Sequence, residues 1–364
     1  MTWVALADQW ERRFSLRGIG IDKQSAPVLQ EDAGGAMMRG TLMFETRFSP
    51  EERPKVLLGY RHMKPAQRSL TIQVVPGGGI ALVQVHNQSV AHAALPHVAS
   101  NRAEMLRISY SWDISRNWAR LTVERPDQYG AVSILCRDPL PMAMSDLHDM
   151  MMGSGDQIMA SDVVFAALSN DVEPIGPMPS LAPDTPVATP AGYRKAQDLR
   201  RGDTIITRGG DIVPVLHVIS HSLPTRGSFA PVRLRAPYMG LQCDVVVGPE
   251  QRIVLDGPEV EYLFGEEAVL VPARHLLNGF AAMVEPARPV ERYVQIILPA
   301  HEAMFAGGAL LESLYIGRIR RKREVFEGSL LSGADRNMLP EHGRAGFKVL
   351  RWFEAVHLAS RRAA

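Results

Sequence analysis

The chain has 364 residues, of which 46% are hydrophobic and 22% are charged, and its formal net charge is +1. This length and composition are typical of a globular protein with about two domains, and they exclude a disordered or collagen-like chain. The balanced charge favours no class of partner, and two distant cysteines, Cys136 and Cys243, exclude a disulfide framework and a cysteine-rich zinc site.

The N-terminal residues MTWVALADQWERRF contain no basic leader followed by a long apolar run. We therefore expect no Sec signal peptide, so that the protein is either cytoplasmic or secreted by a route that needs no such signal. No apolar stretch in the sequence is long enough to span a bilayer, so we expect no membrane span.

The first half of the chain alternates apolar and polar residues, as half-buried strands do. Six such stretches follow one another: GTLMFETRF, RSLTIQVV, GIALVQVH, EMLRISYSW, ARLTVER and AVSILC. Residues that favour turns separate most of them. The spacing predicts an antiparallel β-sandwich over residues 1–168, which resembles concanavalin A-like and laminin G-like modules in its pattern.

Residues 139–169 are rich in methionine and are consistent with a short helix. We interpret the run Met150–Met152 as flexible filling of the core rather than as a metal or cofactor site. The aromatic residues Tyr110, Trp112 and Trp118 have two interpretations. They form a carbohydrate-stacking surface or, as is more common in sandwiches, they belong to the core and its edges.

Residues 169–179 contain three prolines and little apolar periodicity, which predicts an exposed linker. A second β-rich block follows over residues 180–316, with one helix predicted at ARHLLNG and Gly279 as its end. The remaining residues, 317–364, form a basic and partly helical extension. Its basic character is clear from the 11 Lys/Arg against 5 Asp/Glu between residues 314 and 364.

Several collinear motifs in the second block carry a resemblance to a known family. TPVATPAGYRKAQDLRRGDTIITRGG resembles the opening hairpin of that family, and VVVGPEQRIVL stands where it has a strand followed by a histidine-containing element. EYLFGEEAVLVPARHLLNG matches a family motif almost letter for letter, and RYVQIILPAHEAMFAGGALLES resembles the closing element. On these motifs, residues 180–316 resemble the Hint domain of inteins and hedgehog autoprocessing proteins, most closely its alphaproteobacterial type.

The resemblance implies a mainly β Hint fold and the chemistry of self-cleavage, without a metal or cofactor. In this family a Cys, Ser or Thr at the first position attacks the carbonyl carbon just before it, and the peptide becomes an ester or thioester. The nucleophile must lose its proton, the oxyanion needs hydrogen-bond donors, and the leaving nitrogen needs a proton.

The family pattern places Ser180 at the nucleophile position, but other catalytic positions depart from it. The T-x-x-H element of the family aligns with residues 248–251, so that Gly248 replaces the threonine and Gln251 replaces the histidine. Gln295 stands at a second position that often holds a histidine. An amide can donate a hydrogen bond but cannot carry a proton near neutral pH.

Two hypotheses follow for the function. The downstream family histidine is present as His301, but the asparagine that protein splicing requires is absent near residues 311–313. We therefore expect a Hint protein in which autoproteolysis between Pro179 and Ser180 is weak or lost and splicing does not occur. The alternative is a non-catalytic binding or structural protein whose sandwich recognises a ligand such as a glycan.

Other polar residues are interpreted as structural. We interpret His217 and His221 as surface or capped positions, and His275, Asn278 and Gly279 as the end of a helix. We interpret Asp198, Arg201 and Asp203 as turn and strand-pairing residues. Glu266 and Glu267 are interpreted as carboxylates of a turn.

The basic extension contains one dense run of positive charge: Arg318, Arg320, Arg321, Lys322 and Arg323. A solvated face is the usual interpretation of such a run. The alternative is weak binding to an anionic surface, either phospholipid or nucleic acid. No aromatic residues alternate with these charges, so the sequence does not predict a groove for single-stranded nucleic acid.

Overall fold

The computed structural model describes residues 3–20, 35–48, 54–63, 66–96, 104–127, 130–343 and 346–362. The chain divides into two compact units, Met1–Pro174 and Ile175–Ala364. Both units are mainly β, which confirms the predicted fold class. The finer boundaries after residues 168, 179 and 316 remain predictions.

The N-terminal unit contains short antiparallel strands and one helix in its described part. Its strands are β1 (Trp3–Ala7), β2 (Arg12–Phe14), β3 (Ala36–Met37), β4 (Arg39–Phe48), β5 (Lys55–His62), β6 (Arg68–Val75), β7 (Gly79–His86), β8 (Ser89–Leu95), β9 (Glu104–Asp113), β10 (Trp118–Glu124), β11 (Ala131–Cys136), β12 (Met142–Ala143), β13 (Gln157–Met159) and β14 (Val163–Ser169), and its helix is α1 (Met144–Met152). The six predicted strands are confirmed as β4, β6, β7, β9, β10 and β11.

Two sheets share the core of this unit, as expected for a sandwich. One has seven strands in the order β11-β10-β9-β4-β14-β1-β2, and the other has five in the order β13-β5-β6-β7-β8. Phe44 and Leu121 from the larger sheet pack in one apolar cluster with Ile72 and Leu82 from the smaller sheet. The alternate burial of β6 shows how the period-two pattern of the sequence produces this core.

The C-terminal unit is built from shorter strands. They are β15 (Pro186–Thr189), β16 (Gly192–Lys195), β17 (Thr204–Ile206), β18 (Ile212–Pro214), β19 (His217–Pro224), β20 (Val232–Leu234), β21 (Val245–Val247), β22 (Arg252–Asp256), β23 (Ala268–Pro272), β24 (Ala282–Val284), β25 (Val290–Ile297), β26 (Ala303–Ala306), β27 (Ala309–Glu312) and β28 (Lys348–Val349). Its α-helices in the described residues are α2 (Pro258–Phe264), α3 (Arg323–Glu327) and α4 (Trp352–Arg362).

Four sheets make up the described part of this unit. The largest has the order β16-β15-β26-β27-β22-β23-β28, and the others are β17-β18, β19-β25 and β21-β20-β24. All pairings of β22, β25 and β27 are antiparallel, whereas β28 from the basic extension pairs parallel with β23. The extension also contributes Leu350, Ala355 and Leu358 to the same apolar core as Leu181 and Val294.

The prediction of an exposed linker over residues 169–179 is wrong. Ser169 ends β14 and is fully buried, and its hydroxyl donates to Glu173 Oε1 at 2.6 Å. The backbone N–H of Glu173 donates to Thr41 Oγ1 at 2.8 Å, within the N-terminal unit. Ile175 is 1% exposed and donates its N–H to Gly328 O at 2.8 Å, within the C-terminal unit. Each half of the segment is therefore hydrogen-bonded to its own unit. The three prolines had suggested an exposed segment without such bonds.

The helix predicted at ARHLLNG is a single 3₁₀ turn, Ala273–Leu276, followed by extended backbone at Leu277. Asn278 Oδ1 then accepts the N–H groups of the next residues, 280–282, so a side chain satisfies the turn. Gly279 has φ of 81°, the left-handed conformation that glycine adopts readily.

Candidate functional site

Ser180 is held in place by backbone hydrogen bonds of its own carbonyl group and of the residue after it. Leu181 and Val294 exchange both backbone hydrogen bonds, at 3.0 and 2.8 Å, which ties the residue after Ser180 to strand β25. Gly248, directly after β21, donates its N–H to the carbonyl oxygen of Ser180 at 2.6 Å. The start of the β-rich block therefore lies between the end of β21 and the middle of β25.

The Ser180 hydroxyl contacts Gln251 directly. Ser180 Oγ donates to Gln251 Oε1 at 2.7 Å. Gln251 is 3% exposed and immediately precedes β22, and its backbone N–H donates to Gly248 O at 3.0 Å. This contact brings together the residues that the family alignment places at the nucleophile and histidine positions.

Gln295 completes a cluster of buried amides. It lies on β25, is 2% exposed, and donates from Nε2 to Gln251 Oε1 at 3.0 Å. The same nitrogen lies 3.3 Å from the backbone oxygen of Glu312. Strand β25 thus positions Gln295 beside Gln251.

The side-chain amide of Gln251 has no spare hydrogen-bonding capacity. Its oxygen accepts from Ser180 and Gln295, and its nitrogen donates to Glu312 O at 3.0 Å and to Arg252 O at 3.1 Å. These two carbonyl acceptors fix which end of the amide is the nitrogen. The oxygen that faces Ser180 is a neutral acceptor, which does not take up a proton near neutral pH.

Gly248 provides backbone but no side chain to this site. A Cβ at position 248 would lie 3.2 Å from Ser180 Cβ, so the place that a threonine would occupy in the family is tight here. The Gly248 N–H is used by the carbonyl of Ser180, which is not the carbonyl that a self-cleaving residue attacks. That carbonyl belongs to Pro179.

His301 lies in a second, ionisable cluster. Its Nε2 is 2.9 Å from Glu312 Oε1, close enough for an ion pair, although the angle does not suit a hydrogen bond. Arg252 Nη1 lies 3.3 Å from the same carboxylate oxygen. The contacts of His301 within the described residues do not include Ser180 or Gln251.

His342 is a site neighbour that the sequence analysis missed. Its ring stacks on His301 with centroids 5.7 Å apart. It accepts from Ile316 N–H at Nδ1 and donates from Nε2 to Leu298 O at 3.0 Å, an arrangement that suits the neutral ring. Burial, and secondarily the nearby His301, lower the pKa of His342. The residue lies in the extension, outside the family motifs, so no spacing pointed to it.

The other candidate residues lie apart from Ser180 in structural roles. Burial and the adjacent Arg274 lower the pKa of His275 to about 4. Glu267 pairs with Arg208 at 2.7 Å, and Asp203 caps the turn at Arg200, with a lowered pKa. These contacts agree with the structural interpretation of the turn carboxylates.

The basic run of the extension is partly neutralised within the protein. Arg320 Nε and Arg321 Nη2 both lie 2.6 Å from the carboxylate of Glu341, and Arg323 Nε lies 2.6 Å from Glu327. Arg318 Nε is 4.0 Å from Glu341. These contacts reduce the charge available to an anionic surface, and binding to such a surface remains a prediction.

The aromatic residues of the N-terminal unit belong to its core. Tyr110 and Trp112 are fully buried, and Trp112 Nε1 donates to Met37 O at 3.0 Å. Trp118, the first residue of β10, is partly buried and lies beneath the guanidinium of Arg120. Tyr110 and Trp112 therefore cannot form a stacking surface for a carbohydrate.

Comparison with known proteins locates one domain. Residues 179–318 match the family model of the Hint domain, which confirms the resemblance drawn from the sequence motifs. No curated protein matches the chain. No helix among the described residues is long and apolar enough to cross a membrane.

Solved structures with similar parts fall into two groups. The MchDnaB-1 intein is 17% identical, with 37% of this chain and 98% of that chain covered and a TM-score of 0.25. The gp41-1 intein is 12% identical, with 36% and 95% covered and a TM-score of 0.24. A carbohydrate-binding module, the CBM40 of the Ruminococcus gnavus IT-sialidase, is 13% identical, with 37% and 78% covered and a TM-score of 0.28.

Proposed function

We propose that residues 180–316 form a Hint domain that cleaves the Pro179–Ser180 bond weakly or not at all, so that the chain persists as one polypeptide. The hydrogen bond from Ser180 Oγ to Gln251 Oε1 is the observation that carries this proposal. This contact supports the proposal, because the neutral amide oxygen of Gln251 cannot remove the proton of the Ser180 hydroxyl.

Activation of Ser180 is the first requirement that the site does not meet. An N-to-O acyl shift forms a bond between Ser180 Oγ and the carbonyl carbon of Pro179 and breaks the bond from that carbon to the Ser180 nitrogen. The hydroxyl proton must leave, and the nitrogen must gain one. Loss of general acid–base catalysis slows such a step by about 10²- to 10⁴-fold.

Protonation of the leaving nitrogen is the second requirement. In the family, a histidine at the Gln251 position supplies this proton. Here both N–H groups of the Gln251 amide donate to backbone carbonyls, those of Arg252 and Glu312. An amide could stabilise a charge but has no proton to give.

Mass spectrometry of the purified full-length chain tests the proposal. We expect an intact species of 40.1 kDa after prolonged incubation near neutral pH. The matched control is Ser180→Ala, which removes the hydroxyl without adding bulk. If most of the wild type is converted within hours to a fragment that begins at Ser180 and the alanine variant stays intact, the domain is efficiently self-cleaving and the proposal is wrong.

Ligand binding by the sandwich is the alternative function. The burial of Tyr110 and Trp112 removes two of the three aromatic residues that motivated a glycan ligand. The similarity to a carbohydrate-binding module is too low to assign one. A glycan array with the intact protein would show whether any carbohydrate binds elsewhere on the sandwich.

A further inference from the structure

A groove of about 280 Å³ opens on the C-terminal unit between the turn that contains residues 197–201 and strands β19 and β25. Its polar lining comprises Gln197, Arg200, Arg201, His217, Ser220 and Arg292. No acidic residue lines it. Three guanidinium groups therefore face one concave surface without a carboxylate among them.

Two of these arginines have no carboxylate partner among the described residues. Arg292 Nη2 donates to Ser220 Oγ at 2.9 Å, which orients a hydroxyl and a guanidinium toward each other across β19 and β25. Arg201 lies on the exposed turn, and its charge contributes to lowering the pKa of His217, after the effect of burial. The positive charge of Arg201 therefore acts on His217 within the groove.

The remaining groups near the groove are engaged elsewhere. Arg200 Nη1 donates to the carbonyls of Gln197 and Leu199, at 2.8 and 2.9 Å, which fixes the turn. The carboxylate of Asp203 accepts from the backbone N–H of Arg200 at 2.7 Å and lies 3.1 Å from Arg194. Asp203 is therefore paired with Arg194, and its charge also acts on Arg200, but neither Asp203 nor the exposed Asp198 lines the groove.

We propose that this groove binds a small doubly charged oxyanion, either inorganic phosphate or the phosphate group of a phosphomonoester. Guanidinium groups bind such oxygens with charge-assisted and often bidentate hydrogen bonds, and like charges in a concave site concentrate the field. The volume lies near the lower end of the range of small-molecule sites, about 300–1,000 Å³, which suits a small anion rather than a polymer.

The Ser180 hydroxyl does not line the groove. The groove and the segment that begins at Ser180 both contact strand β25. Val294 lines the groove, and its backbone exchanges both hydrogen bonds with Leu181. The proposal does not depend on whether the Pro179–Ser180 bond is cleaved, because none of the anion-binding residues takes part in that step.

Calorimetric titration of the full chain with inorganic phosphate and with glycerol 3-phosphate, at low ionic strength, tests the proposal. We expect saturable binding at millimolar concentrations or below. Arg292→Gln and Arg201→Gln should each weaken it by about tenfold or more, the effect of losing a hydrogen bond between charged groups. The control is Arg288→Gln, an exposed arginine outside the groove with the same change of charge, which should alter binding by less than about twofold.

The outcomes show both whether the site exists and which kind of phosphate it binds. Tighter binding of glycerol 3-phosphate than of phosphate indicates an organic phosphomonoester, and equal binding indicates free phosphate. Absence of binding by the wild type up to about 10 mM would overturn the proposal, since an affinity weaker than that is not specific recognition. Equal weakening by Arg288→Gln would also overturn it, because binding would then follow the net charge alone. Thermal unfolding of each variant identifies any that fails to fold.

Discussion

Glu312 lies between two neighbouring clusters of the C-terminal unit that differ in their chemistry. Its backbone oxygen accepts from the amides of Gln251 and Gln295. Its carboxylate contacts Arg252 and His301. The Ser180 hydroxyl belongs to the amide cluster, whereas the groups that can carry charge or a proton belong to the ionic cluster.

This difference shows that the position of a buried hydroxyl can be fixed without a group that transfers protons. Hydrogen bonds between neutral amides hold Ser180 in position without any titratable group. The ionic cluster is equally buried, but its charges are used to compensate one another, since burying an uncompensated charge is costly. His301 therefore has a partner in Glu312, and its contacts among the described residues do not include Ser180.

The largest expected effect comes from making the amide cluster titratable. We combine Ser180→Cys, Gln251→His and Gly248→Thr, which supply a partly ionised nucleophile, a proton donor and a hydroxyl near the scissile carbonyl. With a small thiol present, the triple variant should yield a fragment that ends at Pro179. Mass spectrometry measures its rate of formation, which should exceed that of any single variant by about 10²-fold or more, because such groups act as a unit.

The tight contact at position 248 makes a control without the threonine necessary. A Cβ there would lie 3.2 Å from Ser180 Cβ, so the threonine requires a small shift of the Ser180 segment. The double variant without Gly248→Thr shows whether that shift prevents attack. A folded triple variant that stays intact for days would mean that Gln251 is not the counterpart of the family histidine or that the strain driving attack is absent.

A second change acts on the ionic cluster alone. Glu312→Gln removes the carboxylate from Arg252 and His301 but leaves the backbone oxygen that the glutamines use. Removing one partner of a buried ion pair costs about 3–5 kcal/mol, so we expect a loss of that size in the free energy of unfolding. Denaturant titration measures it, with Glu302→Gln, a nearby carboxylate outside the cluster, as the control. Equal losses in both variants would show that the ionic cluster is not specially stabilising.

A third change acts on the amide cluster alone. Gln251→Leu leaves the Ser180 hydroxyl, the Gln295 amide and the Glu312 backbone oxygen without this partner. Because unsatisfied buried polar groups cost about 1–3 kcal/mol each and part of the loss is relieved by relaxation, we expect a destabilisation of about 2–3 kcal/mol. The exposed Gln242→Leu is the matched control in the same urea titration. A neutral effect of Gln251→Leu would contradict the role given to this network.

The smallest expected effect concerns the pH dependence of the ionic cluster. The pKa of His342 is lowered in the folded protein, so the unfolded chain binds a proton that the folded chain does not. Stability should therefore decrease as pH falls below about 6.5, by at most about 1.4 kcal/mol per pH unit from this residue. His342→Gln removes the titration and should flatten the curve of unfolding free energy between pH 7 and 5. Parallel curves for both proteins would exclude His342 as a source of this dependence.

Much of the fold follows from local patterns in the sequence. Most of β6 and the middle of β7 alternate in burial because one face packs against the core and the other does not. Strand β5 was missed because it carries a continuous apolar run, VLL, that shows no period of two. Helix α2 was missed because its seven residues are too few for a helical period to stand out.

The candidate site was predictable only where side chains carry the signal. Ser180, Gln251 and Gln295 were singled out because they align with catalytic positions of the family, and hydrogen bonds connect these three residues in the folded chain. The backbone oxygen of Glu312 accepts hydrogen bonds from both glutamines. Any residue type has such an oxygen, so the sequence does not indicate this contact, which joins residues 61 positions apart. His342 lies outside the motifs altogether, so only the folded chain brings it to His301.

The parallel pairing of β28 with β23 has a practical consequence for where the domain can be cut. The family match ends at residue 318, yet Leu350 donates its N–H to Leu270 O at 2.8 Å and packs in the core of the unit. A chain shortened to residue 318 would leave β23 as an open edge beside a vacated apolar surface. Such edges recruit strands from other molecules, so the shortened protein should aggregate on expression although every family motif is retained.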